Sequence, residues 1–275
     1  DSLVSTGGAM YITVAALTRL GAKVGWPAYF GDDYYSCFVR GLAKDTGIDL
    51  ELAKIADHPY RRVTTSMPYQ GDRAFVTFVD PEADDLQQYW LESLDRCEFS
   101  HLHLGGWTAE TELRPLAEKA HSKGATVSMD CQDVQCLLNP PTCLEPLEYV
   151  DIFMPNAREA RIITGSEDIE TAMRKLMPLV ELVVVKDGAN GAWVGHKGEI
   201  LHAPSVNVGP LVDTTGAGDC FNAGFLFGYL VEKLPLETCL QYGNFSGGFS
   251  VTCVGGATNT PTYDDLQAWL EKESQ

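Results

Sequence analysis

The run Val212-Asp213-Thr214-Thr215-Gly216-Ala217-Gly218-Asp219 is a small, glycine-rich turn leading directly into the apolar stretch Cys220-Phe221-Asn222-Ala223-Gly224-Phe225. At a turn-to-helix junction the first N–H groups lack backbone partners, and the helix dipole is positive there. Glycines let the backbone approach an anion closely. Such a junction can hold a phosphate or a developing oxyanion. Asp219 falls in the first helical turn beside it. A carboxylate there can simply stabilise the helix dipole, and glycines can simply serve a tight turn. Yet a carboxylate would repel a bound anion. It makes sense if it takes a proton from a nucleophilic hydroxyl while the amides stabilise a phosphoryl group. No G-x-x-x-x-G-K-[ST] run occurs, and no G-x-G-x-x-G follows an early strand, so neither a Walker nucleotide loop nor a dinucleotide oxidoreductase fits.

The elements that position this loop are legible from periodicity. Gly7-Gly8 opens an apolar helix from Ala9 to Leu20, closed by Gly21. Val24 to Phe30 reads as a strand, and Gly31-Asp32-Asp33 turns it into a helix from Tyr34 to Lys44 that ends before Gly47. Arg61 to Tyr69 and Arg73 to Val79 form a hairpin through Gln70-Gly71-Asp72. Helices are expected at 86–94, 110–122, 157–163, 169–176, 221–232, 236 to about 251, and 263–272. Strands are expected at 99–104, 126–129, 152–154 and 182–186. Gly188 and Gly191 punctuate a meander through 192–194 and 200–203. Helices alternating with strands at this spacing imply βαβ units and a mostly parallel sheet. The expectation is a single α/β domain over 1–275 carrying a small β appendage.

Composition narrows the partners. The 275 residues are 45% hydrophobic and 21% charged, enough apolar material for a sizeable core. The formal net charge of −18 disfavours nucleic acid and anionic membranes. No apolar run is long enough to span a membrane, and Asp1-Ser2-Leu3 does not begin a signal peptide. Cys37, Cys97, Cys131, Cys136, Cys143, Cys220, Cys239 and Cys253 form no CxxC pair and lack zinc-finger spacing, which reads as reduced cytoplasmic thiols.

The segment Asp213 to Asp219 resembles the D-T-x-G-A-G-D signature of the ribokinase (PfkB-type) carbohydrate kinase family. Other segments resemble that family in its own order. These are Gly7-Gly8 through Leu20-Gly21, Gly31-Asp32-Asp33, Pro155-Asn156-Ala157-Arg158-Glu159-Ala160, Val185-Lys186-Asp187-Gly188-Ala189-Asn190-Gly191-Ala192 and Gly256-Ala257. The resemblance covers nearly the whole chain. It implies a three-layer ribokinase-like α/β fold with a central, mostly parallel sheet flanked by helices, and a β lid at about 61–79. It implies an ATP- and Mg2+-dependent transfer to a hydroxyl of a small sugar or nucleoside. Asp219 is then the catalytic base, and the Gly216, Ala217 and Gly218 amides form the anion hole.

By the same resemblance, Asn156 and Glu159 organise Mg2+ through water, and Asn156, Lys186, Gly188, Gly191 and Asn244 lie on the nucleotide side. Gly7, Gly8 and Asp219 face the acceptor, while Asp213 and Thr215 resemble a monovalent-cation (K+) site. Taken alone, Asn156 also reads as a helix N-cap, Glu159 as a first-turn carboxylate, Lys186 as a solvated strand-end lysine, and Asp213 as a turn cap. The lid often joins a second copy in this family, so a homodimer is expected. Tyr11, Tyr34, Tyr35, Tyr69, Trp90 and Trp107 are aromatics near the expected pocket, each also readable as core.

Two departures bear on the acceptor. Ile12 stands where the family carries a sugar-binding Asn, and Ile cannot make that hydrogen bond. The family's opening strand, with its substrate-binding Asp, has no counterpart here, and a chain that continues further upstream is the expectation. The alternatives are a catalytically silent nucleotide- or metabolite-binding protein on the same fold, and a kinase of a vitamin-like alcohol.

Overall fold

The computed structural model describes residues 4–69, 72–132 and 144–273. In chain order its elements are α1 (Ala9–Arg19), β1 (Tyr29–Phe30), α2 (Tyr34–Asp45), β2 (Lys54–Ile55), β3 (Arg62–Tyr69), β4 (Asp72–Val79) and α3 (Leu86–Asp95). There follow β5 (His101–Leu104), α4 (Glu110–Ser122), β6 (Thr126–Asp130), β7 (Ile152–Met154), α5 (Ala157–Thr164), α6 (Ile169–Leu176) and β8 (Leu182–Lys186). The chain ends with β9 (Ala192–His196), β10 (Glu199–Ala203), α7 (Ala217–Leu226), α8 (Leu236–Ser250) and α9 (Tyr263–Glu273). It divides into two compact units, one of residues 1–23 with 97–275 and one of residues 24–96.

In the larger unit six strands are ordered β10-β9-β8-β7-β6-β5. β5 to β8 are parallel, β9 runs antiparallel to β8, and β10 runs antiparallel to β9. β8 reads Leu-Val-Val-Val before Lys186, with all four apolar residues buried, as a central parallel strand requires. On one face Leu113, Ala117 and Ala120 of α4, Ile163 of α5, and Met173 and Leu176 of α6 pack against Val127, Met129, Phe153, Val183 and Val185. On the other, Phe221 and Phe225 of α7 and Leu240 of α8 cover Ile152, Met154, Leu182 and Val184. Each fully buried Val, Leu, Ile, Phe or Met side chain among these contributes roughly 1.5–3 kcal/mol of transfer free energy. The sandwich therefore holds the carboxyl ends of β5 to β8 in fixed register. In α/β sheets those ends are where ligands bind.

The smaller unit carries the hairpin. β3 and β4 pair antiparallel from Arg62 opposite Val79 to Tyr69 opposite Asp72. The expected turn at residues 70 and 71 lies outside the described residues. The strand expected over Val24 to Phe30 is only two residues long, β1, and pairs parallel with β2. Pro27 interrupts that run, since it offers no backbone donor to a ladder. Asp33 caps α2 by accepting from the Tyr35 and Ser36 amides, and it also accepts from the Tyr60 amide. α7 begins four residues earlier than expected and continues into a single π turn at Phe227–Val231.

Candidate active site

The carboxyl ends of β6 and β8 and the N-termini of α5 and α7 supply the polar side chains. The backbone of Asn156 bridges to Lys186 in parallel register, and the Lys186 amide donates to the Pro155 carbonyl at 3.0 Å. This places the start of α5 beside the end of β8.

α7 starts without a side-chain cap. Its N-cap, Gly216, has φ +76°, a left-handed backbone that glycine adopts without strain. A Cβ there would also lie 2.9 Å from the Gly256 carbonyl oxygen and 2.9 Å from Cδ1 of Ile12. Asp213 knots the preceding turn. Its Oδ1 accepts from the Thr215 amide at 2.9 Å and the Thr215 hydroxyl at 2.7 Å, while Oδ2 accepts from the Gly255 amide at 3.0 Å. Of the amides assigned to an anion hole, that of Ala217 donates within the loop, to the Thr214 carbonyl at 3.3 Å. Ile12 is 2% exposed and packs with Ala16, Cys220 and Ala223. It is a wedge beneath the glycine loop.

Asp219, half-buried in the first turn of α7, has its carboxyl pushed up to about 7. Withdrawal from water is the main cause, with the Asp130 and Glu159 carboxylates adding to it and the Lys186 ammonium opposing it. A carboxyl poised near neutrality is suited to proton transfer.

The neighbouring polar groups are tightly coupled. Lys186 is not a solvated lysine: its ammonium donates to Asp130 Oδ2 at 2.7 Å and to Asn222 Oδ1 at 3.2 Å. Asn222 Nδ2 donates to Asp130 Oδ2 at 2.6 Å. Neither Asp130 nor Asn222 was singled out by the sequence. Asp130 looked like the residue just past a strand, and Asn222 like one more position of an apolar helix. The signal that could have found Asn222 is a polar residue one turn past Asp219, on the same helix face.

At α5, Asn156 and Glu159 form a complete capping box. The Glu159 amide donates to Asn156 Oδ1 at 2.9 Å, and the Asn156 amide donates to Glu159 Oε2 at 2.7 Å. Glu159 is 3% exposed.

Other residues singled out in the sequence take mainly structural tasks. Gly188 and Gly191 flank a tight turn with φ +54° and +96°, and a Cβ at 191 would run into the Ala203 carbonyl. Asn244 is buried, its amide donating to the Ala203 and Pro204 carbonyls at 3.1 and 2.9 Å. Gly8 starts α1 with φ +86°, and both it and Gly7 are exposed. Trp107 packs edge-on against Phe153 in the core, and Trp90 donates to the Pro27 carbonyl. Tyr11 is buried. Tyr34 and Tyr35 are exposed and touch each other edge to face. Among the described residues no group of three or more His, Cys, Asp or Glu is arranged to hold a metal.

The model of the pfkB family carbohydrate kinase matches residues 4–263. The chain belongs to the pfkB family of carbohydrate kinases. It is 28% identical to a fructokinase of Klebsiella pneumoniae over 291 aligned positions, covering 96% of this chain and 91% of that one. It is 30% identical to a cytidine kinase of Thermococcus kodakarensis over 244, covering 86% and 84%. A fructokinase of Vibrio cholerae, solved with fructose, ADP and calcium ion, superposes with TM-score 0.80 at 24% identity over 96% of this chain and 91% of that one. The ribokinase of Arabidopsis thaliana, solved with ribose and ATP, gives TM-score 0.78 at 24% identity over 96% and 87%. This pfkB-family chain therefore has the ribokinase fold, and its relatives are named sugar and nucleoside kinases.

Proposed function

We propose that this chain is an ATP-dependent kinase transferring the γ-phosphoryl group to a hydroxyl of a small sugar or nucleoside, with Asp219 as the base. The observation that carries it is a carboxyl poised near neutrality in the first turn of an uncapped helix. The acceptor hydroxyl gives its proton to Asp219 as its oxygen bonds the γ-phosphorus. The bond from that phosphorus to the β–γ bridging oxygen breaks, and ADP leaves. The amides of Gly216 and Gly218, with the α7 dipole, stabilise the charge spread over the phosphoryl oxygens. The Ala217 amide turns to them only by giving up its long contact with Thr214.

The donors at α5 suit Mg2+, since Glu159 is a buried carboxylate and Asn156 an amide oxygen, both hard ligands. With no all-protein cage among the described residues, the ion would keep water and phosphate ligands. Magnesium, when bound, supplies charge neutralisation on the transferring phosphates. Lys186, Gly188 and Gly191 lie on the nucleotide side, and Asn244 serves it by holding α8 against the end of β10. Gly7 and Gly8 offer exposed backbone to the acceptor. K+ near Asp213 and Thr215 belongs to the same reading; both Asp213 oxygens already accept hydrogen bonds, so it tunes the loop rather than creating it.

The hairpin is the surface for a homodimer. Val63, Met67, Val76 and Phe78 share one face, and Met67, Val76 and Phe78 are exposed. A two-stranded ribbon with an open apolar face is marginal alone. Light scattering showing only monomer at micromolar concentration overturns this. The exposed thiols of Cys37 and Cys253, which form no disulfide, support a cytoplasmic site of action.

The test of the reaction is ADP release with MgATP and K+ across sugars, nucleosides and vitamin-like alcohols, with Asp219→Asn as control. A signal lost in the variant supports the reading and names the acceptor. Nucleotide binding without release from any acceptor supports a silent binding protein instead.

A further inference from the structure

Asp130 ends β6, Lys186 ends β8, and Asn222 lies one turn past Asp219 on α7. These three residues close a triangle. Asp130 Oδ2 accepts from both the Lys186 ammonium and the Asn222 amide, and Asn222 Oδ1 accepts from the same ammonium. The Cys131 amide donates to Asp130 Oδ1 at 2.6 Å. Only 5% of the Asp130 side chain and 11% of the Lys186 side chain is exposed. The lysine stem runs behind the glycine loop, and Nζ lies 3.6 Å from where a Cβ of Gly218 would sit.

Two carboxylates, Asp130 and Asp219, thus face one ammonium. A buried ion pair is weak evidence for stability, because apolar replacements of similar volume are often neutral. Its geometry, however, decides which carboxylate the lysine neutralises. Asn222 fixes the answer, since its two ends bind both partners of the pair and its backbone belongs to the helix that carries Asp219.

We propose that Asp130, locked by Asn222, is a positioning residue that reserves the Lys186 ammonium for the loop side of Gly218 and withholds it from Asp219. This rests on the reading of Asp219 as the base. Without the reservation, the ammonium pairs with Asp219 and holds its carboxylate in a form too weakly basic to take the acceptor proton. The charged groups facing Asp219 are Asp130 on β6, Lys186 on β8 and Glu159 on α5; from α1 the neutral Thr13 hydroxyl donates to its carbonyl at 3.4 Å, and Cys220 is its neighbour on α7.

The experiment is a carboxyl 13C NMR titration of the full chain labelled at aspartate, with the Asp219 signal assigned by Asp219→Asn. It needs no acceptor. The proposal expects Asp130→Asn to lower the Asp219 midpoint by at least about one pH unit, a tenfold loss of proton affinity. It expects the double variant Asp130→Asn/Lys186→Met to bring the midpoint back to that of the parent or above. A midpoint unmoved by Asp130→Asn, or one the double variant fails to restore, overturns it. If Asp130→Asn does not fold, Asn222→Ala releases one anchor of the lysine and is expected to lower the midpoint in the same direction; no movement there overturns the proposal. Loss of the Asp130 charge alone also lowers the midpoint through space, so the discriminating arm is Asn222→Ala, which keeps every charge: a lowered midpoint there supports the reservation, and an unmoved one overturns it. Loss of the base reading shows separately, as undiminished ADP release by Asp219→Asn.

Discussion

The N-termini of α5 and α7 are built in opposite ways. α5 is closed by its own side chains: Asn156 and Glu159 satisfy each other's amides in a capping box. α7 begins on a left-handed glycine with no side-chain cap, and its first-turn carboxylate is pushed up to about 7 rather than held ionised. The first design is how a helix end is stabilised; the second forgoes a side-chain cap, at a cost of roughly a few tenths of a kcal/mol for a glycine N-cap, and buries a carboxyl beside the opening. A stable fold has no use for both of those costs at one helix end. Their coincidence there points to chemistry at α7, with α5 as its rigid neighbour.

The sharpest way to break the contrast is to fill the open end. Gly216→Val introduces a side chain into a φ of +76°, within 2.9 Å of Ile12 Cδ1 and the Gly256 carbonyl. Turnover is expected to fall by about two to three orders of magnitude, the scale of losing oxyanion donors, and steady-state assay checks it. Next in size is pH. If Asp219 must be ionised, kcat/KM for the acceptor falls about tenfold per unit below its midpoint near 7, which a pH profile between 5 and 9 at sub-saturating acceptor reads out. A flat profile separates the raised carboxyl from the rate.

How far the sequence went is itself uneven across these regions. α4, α6, β7 and β8 have the boundaries expected from periodicity, because long apolar patterns bounded by breakers leave few alternatives. The glycine loop was equally plain, being one contiguous segment. The triangle was not. Lys186 and Asn222 are 56 and 92 residues from Asp130 in the chain, and only the register of β6, β7 and β8 with the packing of α7 on the sheet brings the three together. Ile12 was read as a missing polar contact, and its packing role under Gly216 depends on how α1 meets α7. The aromatic run from Val24 to Phe30 suggested a strand whose backbone Pro27 cannot complete.

Smaller effects sharpen the closed end. Asn156→Ala removes half of the capping box, and urea unfolding should show a loss of about 1 kcal/mol. A far larger fall in turnover than that loss explains would assign Asn156 to the site as well. Elsewhere, His101 and His103 share hydrogen bonds with Ser128 Oγ, and burial pulls their rings down to about 3 and about 4. Both are neutral in the folded chain. Their contribution is therefore present above the unfolded value near 6.5 and is lost as pH falls towards those midpoints. Each costs about 1.4 kcal/mol per pH unit in that window. His101→Gln should flatten the acid side of a plot of melting temperature against pH.

The most direct measurement pairs activity with stability in one variant, Asp219→Asn at pH 8. The raised midpoint means that the unfolded chain releases this proton first, so between about 4 and 7 rising pH destabilises the fold through Asp219. The neutral amide escapes that cost. The variant is expected to melt at least about 2 °C higher than the parent, as a gain on the order of 1 kcal/mol does in a chain of this size, while ADP release falls by at least about a hundredfold. A variant that keeps its turnover, or that melts lower at pH 8 than the parent, would contradict a base held ready at the open end of α7.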